Sequence, residues 1–520
     1  METTYNSAAS VGNSDGILVA DPTYSADPNV LERNFTRDTL SPISHIVGRM
    51  LAKMEFTTEL RGNGKQNSGV LTDAPIIARL FRACGYKLTA CPDPGAIGPF
   101  NIGDIANPIA WSLGSGAFAT GTLTISTGVP AANDTVTIGS RTYTWKSALT
   151  GAANEVLIGG TITASGDNLA AAINRGPGEG TVYGANTLIN DDVAASNSSG
   201  AVTVTAKLAG DSANSIATTE SGTNTAWGAA TLAGGTDVAT TSDMIAYYLE
   251  VTTGGASGTA EITVTSDTAG EGVAAAAVTS GSVFTIGTKG LTLTPAFTGN
   301  LTQGDKYVVW LAPAGLKLLP ISDFFESITL VMHKDRVKHT MPGAFGTFEV
   351  TAEAGNYASI KWTFTGTYQA PVDAASLPSP VFEKTLPSQV ELARLRLTDF
   401  NAVVQKFTFN QGNDIQIRPD VSSSQGYIGT RIVGRKPEGG VNPEADLVAN
   451  YDFWGMLRNA TRMPFQMRVG TAAGNTVWCL APSTQYSGMT YQDRQGISAY
   501  DAGMKFSAYQ ADDEMCFFMC

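Results

Sequence analysis

The sequence is poor in charge. Only 15% of its 520 residues are Asp, Glu, Lys or Arg, and only 3 are histidine. So few histidines leave no credible nucleophile–histidine–acid triad, and no pair of isolated carboxylates stands out for glycoside cleavage. "GNGKQNSG" and "GSGAFATG" have the wrong spacing for a dinucleotide loop, carry no Gly-Lys-Ser/Thr phosphate loop, and read as turns. No run of eighteen apolar residues exists, so no transmembrane helix and no membrane anchor is expected. "METTYNSAASVGNSDG" lacks the basic and apolar regions of a secretory signal. The 5 cysteines, Cys84, Cys91, Cys479, Cys516 and Cys520, are odd in number and irregular in spacing. They fit neither a disulfide framework nor a zinc site and read as free thiols in a reducing compartment. Bases are outnumbered, 33 to 46, for a net charge of −13, and form no stripe that would grip phosphates. "HKDRVKH" sets His333, Asp335 and His339 on one side of a strand, but it reads as a polar strand face or hairpin tip before a metal site. The expectation is a protein without catalysis, cofactor or metal.

What is present is glycine, 56 residues, with Ala, Thr, Ser and Asn, a mix that suits short strands and tight turns. Residues 1–40 are polar and read as an N-terminal arm. "EFTTEL" alternates as a strand, and the loop "RGNGKQNSG" follows it. "TDAPIIARLFRACGY" reads as a helix capped by Thr72 or Asp73, with Pro75 in its first turn and Gly85 as its stop. From about Ser112 the composition changes. Residues 114–313 hold 15 acids and 6 bases, a net of −9, against −4 for the remainder. They carry short alternating strands and one helical piece, "DNLAAAIN". The framework resumes after Leu316 with long strands such as "ASIKWTFTGTYQAP". The predicted fold is mainly β, with two sandwich or barrel domains, each flanked by one α-helix, plus inserted β-rich modules. The divisions are 1–40, arm; 41–113, first domain, first part; 114–237, inserted module; 238–313, second small β module; 314–378, first domain, second part; and 379–520, second domain.

Ile-Val-Gly-Arg occurs twice, at Ile46 and at Ile432. Both copies lie in strand-like sequence, and after each come a strand, a polar loop, one short amphipathic helix and another strand. Arg82 and Arg458 fall at the same place in the two helices. What repeats is an order of elements, which suggests two copies of one β-domain, the first split by an insertion whose ends lie close together. The chain ends "MCFFMC". Exposed, Phe517 and Phe518 would be adhesive, so the terminus either packs on its own domain or docks on a neighbouring subunit.

Several stretches occur in order that resemble the major tail tube proteins of long-tailed (siphovirus-type) bacteriophages: "FTTELRGNG", "DAPIIARLFRACGY", "MPGAFGTFEVTAEAGNYASIKWTFTGTYQAP", "DFWGMLRNATRMPFQMRVGTAAGN" and "APSTQYSGMTYQDRQGISAYDAGMKFSAY". They cover most of 41–113 and 316–510. "DTVTIGSRTYTWKSAL" and "YYLEVTTGGASGTAEITVTSDTAGEG" resemble modules that decorate phage particles. The resemblance implies a β-sandwich subunit with a flanking helix, rings whose strands join into one barrel, and rings stacked into a tube for DNA delivery. Most such proteins have one domain and form hexameric rings. Two domains per chain would instead give a trimeric ring with pseudo-sixfold symmetry. Implied partners are the chain itself, other tail proteins at the tube ends, and the tape-measure protein and phage DNA in the lumen without sequence-specific binding. The implied location is the virion tail, after synthesis in the bacterial host cytoplasm. The loop Arg61, Gly62, Asn63, Gly64, Lys65, Gln66 and Asn67, with the arm, is the candidate contact between rings. The competing expectation is a capsid-decoration or tail-fibre protein.

Overall fold

The structure, a computed structural model of the chain, describes residues 1–520 apart from 34, 36–43, 63, 67, 104, 106, 107, 115–117, 211, 236–240, 375–378, 392, 393 and 424. The chain is mainly β, with 49% strand and 7% helix. The framework strands are β1 (Ala20–Leu31), β2 (Ile46–Glu59), β3 (Tyr86–Cys91), β4 (Gly315–Pro320), β5 (Ile328–Lys334), β6 (Val337–Glu353) and β7 (Ser359–Thr367) in the first half. The second half holds β8 (Val404–Asn410), β9 (Asn413–Pro419), β10 (Tyr427–Arg435), β11 (Glu438–Pro443), β12 (Met463–Val469), β13 (Val477–Arg494), β14 (Ile497–Phe506) and β15 (Cys516–Met519). Among the described residues the α-helices are α1 (Ile77–Ala83), α2 (Ile162–Asn174) and α3 (Phe453–Arg458), on the three stretches with helical periodicity.

Hydrogen bonding arranges the framework in two layers. The long layer runs β1-β2-β7-β6-β8-β11-β14-β13, and the short layer runs β3-β4-β15-β13-β12. β13 belongs to both. Its first part lies between β12 and β15, and after a register shift at Tyr486 its second part forms a hairpin with β14. Period-two alternation puts every second side chain between the layers. Met54, Trp362, Phe364, Phe348, Phe407 and Phe409 from the long layer meet Tyr86, Phe517, Phe465 and Met467 from the short one, all buried. Rings touch across the gap, Phe407 stacking on Phe465 at 4.8 Å. Each large apolar side chain so enclosed contributes roughly 1.5–3 kcal/mol.

The two halves therefore share one core. β6 of the first half pairs with β8 of the second, and β15 joins β4 to β13. The repeat is present within this common core as a pairing scheme: β2 pairs with β7 and β7 with β6, as β11 pairs with β14 and β14 with β13.

The module boundaries differ from those expected. Gly95–Ile102 pairs with Lys306–Ala312, and Ala110–Gly114 pairs with Leu291–Ala296. The strands at 95–102 and 110–114, which but for residue 114 were assigned above to the first part of the first domain (41–113), thus build the second module, whose core holds Ile109, Tyr247, Leu249 and Val309. The change of composition near 112 marks where the Thr/Ala/Gly-rich chain begins, and strand partners lie far off in sequence. Residues 118–235 form a third unit around Trp145, Tyr143, Leu169 and Ile173, nested inside the second. The second module is welded to the framework. Trp310, Met244 and Phe100 share a buried cluster with Trp478 and Phe518, and the Trp310 indole N–H donates to Gln466 (2.5 Å).

The nested unit is joined more loosely. Thr120 and Ala233 are bridged, so the chain enters and leaves it side by side. Among its framework contacts are the ion pairs Asp191–Lys87 (2.6 Å) and Arg175–Asp323 (3.6 Å), all four side chains at least partly exposed. Pairs of this kind contribute about 0–1 kcal/mol each. Replacing 118–235 by a short Gly-Ser link is expected to lower the framework melting temperature by no more than a few degrees. Thermal unfolding of the shortened chain checks this, and loss of folded framework would contradict it.

Candidate assembly surfaces

The loop after β2 is committed to its own chain. Arg61 is buried, and its guanidinium donates to the Thr385 carbonyl (2.8 Å) and reaches the carboxylates of Glu383 (3.3 Å) and Glu59 (3.5 Å). The Gly62 N–H donates to Asn475 Oδ1 (2.8 Å) and the Gly64 N–H to the Gly474 carbonyl (2.9 Å). A Cβ on Gly62 would lie 2.4 Å from the Gly474 oxygen, so only glycine permits this approach. Arg61 and Gly62 are therefore not free for contact between rings. Gly64, Lys65 and Gln66 are exposed, and Asn63 and Asn67 lie outside the described residues. The same region corrects the expected helix cap. Leu71–Asp73 form a short 3-10 turn, and the Asp73 carboxylate accepts from Ser68. The cap comes instead from Glu383, whose Oε1 accepts the Ile76 N–H (2.5 Å), where a carboxylate also suits the helix dipole.

The arm is tied down as well. The Glu2 carboxylate accepts from the hydroxyls of Ser327 and Thr329 (both 2.6 Å) and from the Gly343 N–H (2.8 Å). Tyr5 donates to the Thr430 carbonyl (2.7 Å), and residues 20–31 form β1. Arg82 and Arg458 both sit in the last turn of their helices, but their partners differ. Arg82 makes two bonds to Glu326 (both 2.5 Å), whereas Arg458 is exposed and reaches its neighbour Asn459 (3.4 Å).

Phe517 and Phe518, the candidate docking terminus, lie inside their own chain, 0% and 1% exposed. This is the packing alternative of the two readings. β15 has period two, so Phe517 faces the main core and Phe518 the cluster around Trp310 and Trp478.

Groups with possible chemistry are dispersed. "HKDRVKH" is the β5–β6 hairpin, its turn made by Asp335 and Arg336 with φ of 46° and 66°. His339 rests against the Tyr24 ring at 4.4 Å. Among the described residues no three His, Cys, Asp or Glu side chains gather as a metal site. All 5 cysteines are free and buried. Burial pushes the thiols of Cys516 and Cys520 up to about 12, and that of Cys479 well above its usual range, which suits packing and not nucleophilic attack.

The outward face of the long layer is polar and mixes charges of both signs. Thr57, Thr363, Thr351 and Thr408 alternate with charges that are matched in register: Lys361 with Glu349, Lys406 with Glu353, and Lys505 with Glu438. Lys53 pairs with Glu55 on the same strand (2.6 Å). Opposite charges so placed are mildly stabilising, and they intersperse these four cations with carboxylates along the face. The layer ends in the exposed strand β1 and in the exposed second part of β13.

The geometry shows a two-layer framework with a polar face and exposed edge strands, and comparison decides with which proteins it belongs. A profile of the family described as phage tail tube protein matches residues 240–499, half of the chain. The chain belongs to the phage tail tube protein family. No curated protein matches it. The matched span opens at 240 and takes in most of the module welded to the framework, while the nested unit at 118–235 lies outside it. This tail tube protein is a structural component of the virion tail, synthesised in the host cytoplasm, and it assembles with itself and with other tail proteins. No helix among the described residues is long and apolar enough to cross a membrane.

Proposed function

We propose that the protein forms the wall of a siphovirus-type tail tube from rings of three chains, each chain supplying two tube domains in pseudo-sixfold array, and that DNA leaves the capsid through the bore. The duplicated pairing scheme, β2-β7-β6 and β11-β14-β13, is the observation that carries this reading. Two equivalent sheets side by side in one chain can replace two single-domain subunits, and a closed ring leaves no strand edge open. The outward face of the long layer lines the bore. Its lysines are interspersed with carboxylates in place of forming a basic stripe, so the duplex slides without being held. The tape-measure protein occupies the same lumen before ejection. The nested unit at 118–235 decorates the outside, and the protein performs no catalysis. Scanning-transmission mass measurement of purified tubes is expected to give three full-length chains per ring. Six chains per ring would remove the pseudo-sixfold arrangement.

A further inference from the structure

The two exposed ends of the long layer are complementary, and the chain contains its own template for how they meet. Among the described residues β1 pairs only with β2. Thr484 of β13 has Met463 on one edge and Phe506 on the other. Beyond it, from Gln485 to Arg494, the β12 side of the strand has no strand partner among the described residues. Inside the chain the equivalent edges are already joined. β6 pairs antiparallel with β8, Glu349 opposite Asn410, Val350 opposite Phe409 and Thr351 opposite Thr408, and Val350 and Phe409 are both 0% exposed.

The pairing scheme carries this junction from one half to the other. Phe56 and Phe348 flank Trp362, as Val441 and Met489 flank Ala502. The hairpin turns, 353–357 and 494–497, then fall at matching places. Counting along the strands, Val350 corresponds to Tyr491. Met54 corresponds to Gly439, so their partners Tyr24 and Phe409 also correspond. We infer that β13 of one copy pairs antiparallel with β1 of the next, with Tyr491 opposite Tyr24, Thr490 opposite Ser25 and Gln492 opposite Thr23. The inference rests on the ring-forming reading above and names the surface that closes the ring.

Exposure supports it independently. Tyr491 is 66% exposed although its counterpart Val350 is fully enclosed, and its ring lies tilted beside that of Trp454 of α3 (5.8 Å), itself 38% exposed. The β9–β10 hairpin extends from the β8–β11 pair and lies over the end of α1. There Asn413 donates to the Cys84 carbonyl (2.7 Å) and Ile432 is buried beside Gly85. The matching extension in the first half is the outer end of the β1–β2 pair, where Val30, Leu31, Ile46 and Val47 are 46–53% exposed. Head-to-tail pairing lays that end over α3 of the neighbouring copy. The two Ile-Val-Gly-Arg stretches then have equivalent surroundings, the second met within the chain and the first between chains. Such a contact is heterologous and closes into a ring.

Ser25→Cys combined with Thr490→Cys tests the register, because both positions are exposed and the native cysteines are buried. Facing positions on adjacent antiparallel strands lie within disulfide reach. Oxidation of tubes of this variant is expected to remove the monomer band in favour of covalent rings. Ser25→Cys with Arg494→Cys, four residues out of register, should stay monomeric on the gel, and preferential linking of that pair would overturn the register. Hydrogen exchange on the unmodified protein supplies the second measurement. Amides of 20–31 and 485–494 should pass from open-edge exchange to strand-like protection on assembly. Tubes in which they still exchange freely would overturn the pairing and leave the tube standing. Compact oligomers in which they are protected would keep the pairing and remove the tube.

Discussion

Removing Met515–Cys520 is expected to abolish folding, not merely assembly. β15 is an interior strand of the short layer, bonded to β4 through Leu316, Lys317 and Leu318 and to β13 through Val477–Leu480. Without it those strands face each other across a strand-wide gap with unpaired backbone groups, each costly when buried. The side chains matter as much. Phe517 contacts Phe81 (4.9 Å), Tyr86 (5.8 Å), Phe348 (5.9 Å) and Phe409 (6.0 Å), so it joins the helix to both halves. Truncating one such buried phenylalanine to alanine costs about 3–5 kcal/mol, and whole domains are stable by only about 5–15 kcal/mol. Phe517→Ala should therefore lower stability by about 3–5 kcal/mol, and loss of all six residues should exceed what the framework has. Soluble yield and thermal unfolding decide. A truncated chain that melts normally but forms no tubes would restore the docking reading of the terminus.

The approach to that strand is held by charge. Arg435 of β10, mostly buried, bonds Asp512 and Glu514 and donates to the Ile321 carbonyl (2.7 Å). Burial raises the Asp512 carboxyl, but its bonds from Ser322 and Arg435 outweigh this and hold it below its usual range. A depressed folded-state pKa means that its stabilising contribution is present above the unfolded value and is lost as pH falls through the folded one. Acid thus loosens the clamp and alkali does not.

Local pattern explains what the sequence made legible. Ile77, Leu80 and Phe81 recur at helical spacing and lie on the buried face of α1, and Ile360, Trp362 and Phe364 alternate and point into the core of β7. Glycine marked true ends, as at Gly85, which takes φ of 82° just after α1. What failed was everything set by distant partners. Glu383 caps a helix more than three hundred residues earlier, and nothing near Thr72 announces it. Gly95–Ile102 finds its partner two hundred residues on, so the module boundary was invisible in composition. The loop at Arg61 read as polar and free because its anchors, Thr385, Gly474 and Asn475, lie in the other half. The edges proposed to pair between copies are illegible for a related reason. β1 is a poor strand by pattern, since Pro22 and Pro28 interrupt it, and Tyr491 looks unremarkable until Val350 and Phe409 show what its counterpart buries.

Phe81→Ala tests whether the halves are two domains or one. Phe81 belongs to the first half by sequence, yet its ring meets Phe348 (4.9 Å) and Trp362 (5.0 Å) from that half and Phe517 from the last strand of the second. The cavity left by alanine should cost about 3–5 kcal/mol, a fall of roughly 5–8 °C in the melting temperature of a unit of about three hundred residues. With one core the loss cannot stay local. β12–β15 must unfold with β2–β7, because Phe407 stacks on Phe465 across the layers and β6 is bonded to β8. Scanning calorimetry is expected to show a single framework transition moving down while the nested unit, with its own core around Trp145 and Leu169, melts where it did before. A framework signal that splits, with only one part shifted, would mean that each half folds alone. The β6–β8 junction would then be an interface between preformed domains, weaker than the core it resembles and equally available to form between chains.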